Sequence, residues 1–393
     1  MNHRLIGFSF DGFGSYPDHM QFSNMFKNIG RVGIDMYLLF QHHTTLDILH
    51  NARSDLDMFT VTGTGWHFVK YLGPAVVVVG ADCRSERNPH QVMAGPTYQG
   101  IFPKVAMLPP SVQHCLWMLS VPIIYPRLET AEHIAHTVAT GKRAVTGAYN
   151  VLGKVTSSVA GVVGAKDMVG SGFDSVKRAV GKSGLMGGIL SPFGEFDLMD
   201  ELRDQWTHES KELERTYLIR TLQTIAQSKN IRMTFLSGAV NVCGAGLVHD
   251  PTRPSDHKTM YQLISSSVVN GPPPSYILKL LHSSNKPLYV PANGHRSNSQ
   301  PTDTKEDMME VFQTDVTGQP REYRKLMGRR NYAAVVAYDP EAVSAAYGQQ
   351  TNGTGHGAGK LNLAVDFMVQ GEGLYPTVAK YGPVIVPSLG PGK

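Results

Sequence analysis

The chain contains little cysteine and little charge. Its three cysteines, Cys83, Cys115 and Cys243, are far apart among 393 residues, and no two of them form a Cys-x-x-Cys pair. This usage argues against a disulfide framework and predicts free thiols in a reducing, intracellular compartment. Charged residues make up 17% of the chain, and its formal net charge is only +4. Such a mild excess gives no evidence for a nucleic-acid partner.

Long apolar runs and common catalytic motifs are also missing. The longest aliphatic run, at 75–79, is too short to span a bilayer, and the first residues lack the cationic start and apolar core of a secretory signal. A phosphate-binding loop is excluded at Gly181-Lys182-Ser183, because Val176 stands where its first glycine would be. The chain has no His-Glu-x-x-His and no Gly-x-Ser-x-Gly motif, so the corresponding metalloprotease and esterase classes have no support.

Alternating and β-branched patterns predict the strands of an α/β core. Hydrophobic residues make up 41% of the chain, which suits a globular protein with a substantial core. The valine run at 75–79 predicts a central strand with both faces buried. Further strands are predicted at 231–237, 121–126, 331–339 and 360–369, and the segment 260–274 fits either a strand or a helix. The pair 331–339 and 360–369 predicts a hairpin with a Gly-rich tip at 348–360.

Helical periodicity covers most of the remaining chain. Apolar residues recur at helical spacing over 19–54 and 197–228, and 97–119 reads as one or two helices around Pro109-Pro110. A polar stretch interrupts the second of these segments, and Thr207 is expected to cap a new helix there.

The loops after two predicted strands are candidate sites, because ligands of α/β proteins usually lie at the carboxyl ends of the strands. Polar residues are concentrated at 81–87, directly after the first buried strand, although an ordinary charged loop would look the same. At 237–241 the second strand ends in Ser-Gly-Ala-Val-Asn. A metal-dependent hydrolase would place an aspartate and a histidine in that loop.

A basic, glycine-rich segment lies between the two halves of the chain. Residues 142–182 carry seven basic and two acidic residues, a net charge of +5, which leaves −1 for the rest of the chain. Valines recur there near helical spacing and predict an amphipathic helix that gains order at an anionic membrane surface. The alternatives are a flexible surface insertion or a helix packed on its own protein. The predicted membrane-facing residues are Lys142, Arg143, Lys154, Lys166, Lys177 and Arg178.

Five blocks of the sequence follow one another in a specific order. They are GFGSYPDH (12–19), VVVVGADCRSER (76–87), DQWTHESKELERTYL (204–218), TFLSGAVNVCGAG (234–246) and LMGRRNY (326–332). Together they resemble PhoD-like phosphatases of the calcineurin-like metallophosphatase superfamily, most closely the divergent branch found in fungi. The resemblance covers most of the chain. It implies an α/β fold, a metallophosphatase-like sandwich of mixed sheets flanked by helices. The domain would have an N-terminal half (residues 1–140) and a C-terminal half (residues 191–393), with an insertion (residues 141–190) between them.

The resemblance also implies a metal site at the carboxyl ends of the strands. Two or more ions of Fe, Ca or Zn would clamp a phosphate ester there and activate a water molecule. The family's Asp-x-Arg block matches Asp82 and Arg84, and the arginine would contact a phosphate oxygen or pin the loop through an ion pair. We assign catalytic roles to these two residues and to His208. Phosphate binding, or framing of the site, is assigned to Arg84, Arg87, Trp206 and Arg215.

Two departures from the family pattern predict weak or absent activity. The family's Ser-Gly-Asp-Val-His block falls on 237–241, where Ala239 replaces the aspartate and Asn241 is left as a candidate metal ligand. The Asp-Asp-His-Asp stretch expected before Gly12 is reduced to Asp11, the other candidate ligand. These losses remove metal ligands and the negative charge that balances two cations. We therefore expect a domain without its N-terminal metal-binding segment, either a truncated chain or a non-catalytic relative.

Two other functions remain open at this point. One is a non-catalytic binding or scaffold protein at a membrane surface, which holds a phospholipid headgroup or a protein partner. The other is an active hydrolase with rearranged ligands. The expected partners are therefore a phosphate ester or a phospholipid headgroup, with peripheral membrane contact.

Overall fold

A computed structural model describes most of the N-terminal and C-terminal halves of the chain. The described residues are 24–45, 47–48, 60–62, 65–83, 86–87, 90–127, 205–239, 241–269, 271–273, 275–282, 287–293, 296–346, 359–373 and 376–390. The chain divides into two compact units, Met1–Pro126 with Gln205–Lys393, and Arg127–Asp204. Apart from Arg127, the second unit lies outside the described residues, and so does the predicted insertion 141–190. The predicted domain boundaries therefore stay a prediction.

A large mixed sheet forms the centre of the first unit. Within the described residues it has ten strands, in the order β1-β2-β3-β4-β5-β7-β6-β9-β8, with β10 paired to β6. The strands are β1 (Thr60–Thr62), β2 (Gly65–Tyr71), β3 (Val76–Ala81), β4 (His114–Met118), β5 (Arg232–Ser237), β6 (Cys243–His249), β7 (Met260–Ile264), β8 (Leu288–Tyr289), β9 (Lys305–Met308) and β10 (Leu326–Met327).

The four central strands, β3, β4, β5 and β7, are parallel. Their register places Val78 beside Leu116 and Leu116 beside Thr234. The strands outside this group pair antiparallel. Because parallel strands all end at one edge of a sheet, the loops after these four strands meet at that edge.

A second, three-stranded antiparallel sheet is formed by β11 (Asn331–Tyr338), β12 (Asn362–Gln370) and β13 (Val378–Val386). The predicted pairing of 331–339 with 360–369 is confirmed, since Val335 lies opposite Val365 in the β11–β12 ladder. Most of the predicted Gly-rich tip, 347–358, lies outside the described residues.

The alternation of side chains along β3 builds two cores. Val77 and Val79 belong to a buried cluster with residues of the helices α2 (Gly95–Ala106) and α3 (Glu212–Lys229). Val76 and Val78 point to the other face and pack with Leu363 of the small sheet. The first unit is therefore layered as helices, large sheet and small sheet. This arrangement confirms the predicted α/β sandwich and the central strand with both faces buried.

Two of the predicted helices and strands were wrong. The helical segment predicted over 97–119 ends with α2 at Ala106, and His114–Met118 is the parallel strand β4. The strand predicted at 121–126 is irregular backbone. The other helices are α1 (Asn24–His42), α4 (Ser275–His282), α5 (Pro340–Ala346) and a short 3-10 helix at Glu209–Lys211. No helix among the described residues is long and apolar enough to cross a membrane.

Candidate active site

The loop after β3 contains the first predicted site residues. Asp82 is buried, and its backbone N–H donates to the Trp66 carbonyl oxygen of β2 (2.9 Å). Burial raises the pKa of the neighbouring Cys83 thiol to about 11, although the nearby charge of Arg87 lowers it. The thiol is therefore protonated at neutral pH and is a poor metal ligand.

The cation predicted to bind phosphate from this loop lies in the interior. Arg87 is fully buried, and its positive charge acts on the neighbouring Cys83. Arg84 lies outside the described residues. The phosphate-binding roles of both arginines stay predictions.

Two carboxylates hold the backbone that follows this loop. Glu86 Oε2 accepts the backbone N–H of Ala94 (2.7 Å), at the start of α2, and the Thr97 hydroxyl (2.8 Å). Glu214 of α3 accepts the backbone N–H groups of Val92 (2.7 Å) and Met93 (2.9 Å). Since these bonds join the loop to two helices, the end of β3 is tied to the helical layer. Sequence patterns give no sign of either contact.

The loop between β5 and β6 is a tight turn made without charged groups. The Val242 N–H donates to the Ala239 carbonyl oxygen (2.8 Å), and Asn241 lies between them with a left-handed backbone (φ 56°). Asparagine tolerates this conformation better than most residues. The turn itself therefore accounts for an asparagine at 241, and its predicted role as a metal ligand stays a prediction.

A single serine from the next strand end holds this turn closed. The Ser266 hydroxyl oxygen accepts the Ala239 N–H (2.9 Å) and lies 2.8 Å from the Ala239 carbonyl oxygen and 2.6 Å from that of Val242. Asn331, at the start of β11, accepts the Ser266 N–H (3.1 Å) and the Ser265 hydroxyl (3.0 Å) through its Oδ1.

A buried glutamine completes the neutral network at this edge. Gln262 of β7 accepts the Ile123 N–H through its Oε1 (2.9 Å), and its Nε2 donates to the Ser237 hydroxyl (3.1 Å). Gln262, Ser266 and Asn331 were not predicted as site residues from the sequence. The only signals were a serine run beside a predicted strand and the position of Asn331 within the LMGRRNY block.

Arg215, which the sequence predicts to bind phosphate or to frame the site, is a buried residue of α3. Its Nε donates to the Ile123 carbonyl oxygen (2.6 Å), and its guanidinium binds both oxygens of Glu306 (2.9 and 2.7 Å). It also contacts Glu212 and Ser297. Burial lowers the pKa of Arg215, but the charges of Glu306 and Glu212 more than offset burial and raise it. These contacts favour the framing role over phosphate binding, since Glu306 would have to leave before a phosphate could bind.

Trp206 and His208 lie in the segment before α3. Trp206 is fully buried in the core with residues of the helices, and its framing role stays a prediction. His208, and not Thr207 as predicted, caps the 3-10 helix, because its Nδ1 accepts the Ser210 N–H (3.3 Å). This cap is a local structural reason for the histidine, and its catalytic role stays a prediction.

The described donors at this edge do not fit a pair of metal cations. They comprise two carboxylates, at Asp82 and at Glu86, a protonated thiol, at Cys83, and the neutral side chains of Ser237, Asn241 and Gln262. Glu86 already accepts hydrogen bonds from Ala94 and Thr97. Two divalent cations in a protein interior need several anionic or imidazole ligands. In the portion of the chain that the structure describes, no three His, Cys, Asp or Glu side chains lie together as a metal site requires. Asp11 and the six predicted membrane-facing residues lie outside that portion.

Comparison with known proteins identifies the family. The model of the family described as "PhoD related phosphatase" matches residues 7–393. The chain is also similar to a Saccharomyces cerevisiae protein named "Uncharacterized protein YGR266W", with 25% identity over 370 residues that cover 83% of this chain and 46% of the yeast protein. The chain thus spans about half the length of this curated relative. A similar protein in yeast agrees with the predicted fungal branch. No solved structure matches the chain. Because the family match extends over nearly all of the sequence, the chain belongs to the PhoD-related phosphatases.

Proposed function

We propose that the chain binds a phosphate ester at the carboxyl edge of β3, β4, β5 and β7 and hydrolyses it slowly or not at all. In this proposal it is a catalytically impaired member of the PhoD-related phosphatases. Asp82 and Arg84 are the residues of the β3 loop that contact the ester or orient the loop around it. Membership of the family supports the phosphate-ester class of ligand.

The β5–β6 turn is the observation that carries the proposed impairment. Where the family resemblance expects an aspartate and a histidine, the turn has Ala239, whose methyl group cannot ligate a metal, and Asn241, which is neutral. The Ser266 hydroxyl closes this turn through three short contacts. A turn stabilised in this way holds its shape without a metal.

Charge balance supports the same conclusion. A pair of divalent cations brings a charge of +4 to the site, which family members offset with carboxylates. At this edge the Gln262 amide instead donates a hydrogen bond to the Ser237 hydroxyl, and Arg87 adds positive charge. Cations would therefore meet few carboxylates, several neutral donors and a buried arginine, which is electrostatically unfavourable.

Metal content and turnover of the full chain test the proposed impairment. We expect substoichiometric Fe, Ca and Zn by elemental analysis, and no turnover of p-nitrophenyl phosphate or bis-p-nitrophenyl phosphate above buffer with any of these metals added. Asn241→Gly is the informative variant, because glycine adopts the left-handed backbone but lacks the side-chain carbonyl oxygen that could bind a metal. Stoichiometric metal with turnover that Asn241→Gly abolishes, at unchanged stability, would show an active hydrolase with rearranged ligands and overturn the proposal.

Calorimetric titration with phenyl phosphate tests the proposed binding. We expect measurable affinity that falls at least tenfold in Arg84→Gln, because a hydrogen bond from a charged donor contributes about 1.5–3 kcal/mol. Arg296→Gln is the matched control, since Arg296 is exposed and pairs with the exposed Glu209. No binding by the unaltered chain, or equal loss in both variants, would refute a phosphate site in this loop.

A further inference from the structure

The loop that follows β7 presents two valines to solvent. Val268 is 62% exposed and Val269 is 78% exposed, and the exposed Pro272 follows them. A single exposed valine is ordinary on a protein surface, but two adjacent ones at the tip of a loop form an apolar projection. We call Val268 and Val269, with Arg330 beside them, the valine tip.

Hydrogen bonds hold the backbone of the valine tip in place. The Val269 N–H donates to the Ser267 hydroxyl (3.2 Å), and the Val269 carbonyl oxygen accepts from Arg330 Nε (2.7 Å). At the base of the loop, the Asn331 N–H donates to the Ser267 carbonyl oxygen (3.3 Å). The backbone is thus tied to Arg330 and to Asn331, the first residue of β11, and both valine side chains are exposed.

The same contacts place a cation next to the valines. Arg330 is exposed, and beyond its bond to Val269 its guanidinium contacts the neutral side chain of Gln370 (3.3 Å). Its neighbour Arg329 is neutralised by Glu372 (2.8 Å). The valine tip therefore combines an apolar projection with a positive charge whose described side-chain partner is neutral.

We propose that the valine tip docks the protein on an anionic lipid surface. The two valines would enter the boundary between headgroups and acyl chains, and Arg330 would lie among the anionic headgroups. This site is separate from the basic segment 141–190 and rests on described residues alone. The tip follows the carboxyl end of β7, so a docked protein presents its strand-end edge to the headgroups. In that orientation the strand-end edge would meet lipid phosphate esters. This orientation is the one part of the proposal that rests on the proposed function.

A fluorescent probe at the tip tests this proposal in the full chain. The three native cysteines are buried, and burial raises the pKa of each thiol, so an introduced surface cysteine is labelled selectively. We would label Val268→Cys with an environment-sensitive dye and use Val336→Cys, 57% exposed on β11, as the matched control. Vesicles of phosphatidylcholine alone are compared with vesicles that also contain phosphatidylserine.

We expect a blue shift of the probe at 268 with the anionic vesicles and no shift at 336. In the labelled Val268→Cys protein, the further substitution Arg330→Gln should raise the anionic-lipid concentration that gives half of the shift about fivefold. This is the effect of one basic residue near an anionic membrane. The shift at 268 should persist when phenyl phosphate is added in excess to occupy the strand-end site, because docking by the valine tip does not require that site. A failure of phosphate-ester binding would therefore leave the shift at 268 unchanged.

Four outcomes would overturn the proposal. Equal shifts at 268 and 336 would indicate non-specific adsorption. Sedimentation with vesicles but no shift at 268 would place membrane contact on another segment, and no sedimentation at all would exclude a lipid surface. A shift at 268 with lipid-free cell extract, and none with vesicles, would assign the tip to a protein partner instead.

Discussion

His67 makes the stability of this protein sensitive to mild acid. It lies fully buried on β2, and neither of its ring nitrogens has a hydrogen-bond partner among the described residues. Burial, and then the positive charge of Lys104 on α2, lowers the pKa of His67 from 6.5 to about 4. The folded protein therefore holds this imidazole neutral, while the unfolded chain protonates it near its ordinary pKa.

The size and sign of the effect follow from proton linkage. Between pH 6.5 and about 4 the unfolded chain binds a proton that the folded chain does not bind, so the free energy of unfolding falls as the pH falls. Above pH 6.5 the contribution is fully present. With about 1.4 kcal/mol for each pH unit between the two pKa values, the loss reaches about 3 kcal/mol at pH 4.

Replacement of His67 by leucine isolates this contribution. We expect the variant to match the unaltered chain within about 1 kcal/mol at neutral pH, because leucine removes two unpartnered nitrogens but packs differently. Below pH 6.5 it should become progressively more stable than the unaltered chain, as measured by urea titrations at successive pH values. His90→Gln, at an exposed histidine, is the control and should keep the acid sensitivity of the unaltered chain. Parallel pH profiles for His67→Leu and the unaltered chain would refute the reasoning.

Three further predictions concern buried charge, close packing and the basic segment. Arg215→Met leaves buried carboxylates without a cation and should lower the free energy of unfolding by about 3–5 kcal/mol, against less than ~1 kcal/mol for Arg296→Gln in an exposed pair. Gly80→Ala places a methyl group 2.1 Å from the facing phenylalanine ring and should lower the free energy of unfolding by about 1–3 kcal/mol. Gly95→Ala is the control, because its added methyl group meets nothing within 4 Å. Deletion of 141–190, which carries a net charge of +5 within 142–182, should weaken binding to anionic vesicles at least tenfold at low salt.

Urea titrations measure the first two effects, and vesicle co-sedimentation measures the third. Equal losses for the two arginine variants would show that the buried pair contributes no more than a surface pair. A neutral Gly80→Ala would mean that the phenylalanine ring moves aside without cost. Undiminished vesicle binding by the deletion variant would exclude the basic segment as a membrane contact.

The local sequence pattern was sufficient to predict a strand where the strand's own residues show regular alternation or a run of β-branched side chains. The valine run of β3 and the alternating apolar residues of β12 are buried as predicted, because a strand's side chains alternate between faces whatever its neighbours are. The pattern failed at β4. His114–Met118 is a strand because it lies between β3 and β5, and its pairing with β5 depends on residues more than a hundred positions along the chain.

The segment 121–126 failed as a strand for a related reason. Its backbone is held by side chains and not by a neighbouring strand: Ile123 donates its N–H to Gln262, 139 residues away, and accepts at its carbonyl oxygen from Arg215, 92 residues away. Apolar composition predicts that such a segment is buried. It does not predict which groups will satisfy its backbone.

The sequence by itself determined the family, the strands with regular patterns and the chemistry of the SGAVN loop, where an alanine and an asparagine stand at positions of expected ligands. These properties are carried by residue identity and local order. The tertiary structure alone decided that Ser266 closes this loop, that Asn331 and Gln262 tie it to neighbouring segments, and that Arg215 is committed to Glu306. Hydrogen bonds and ion pairs between distant residues leave no periodic trace in a sequence, because their geometry exists only after the sheet has assembled.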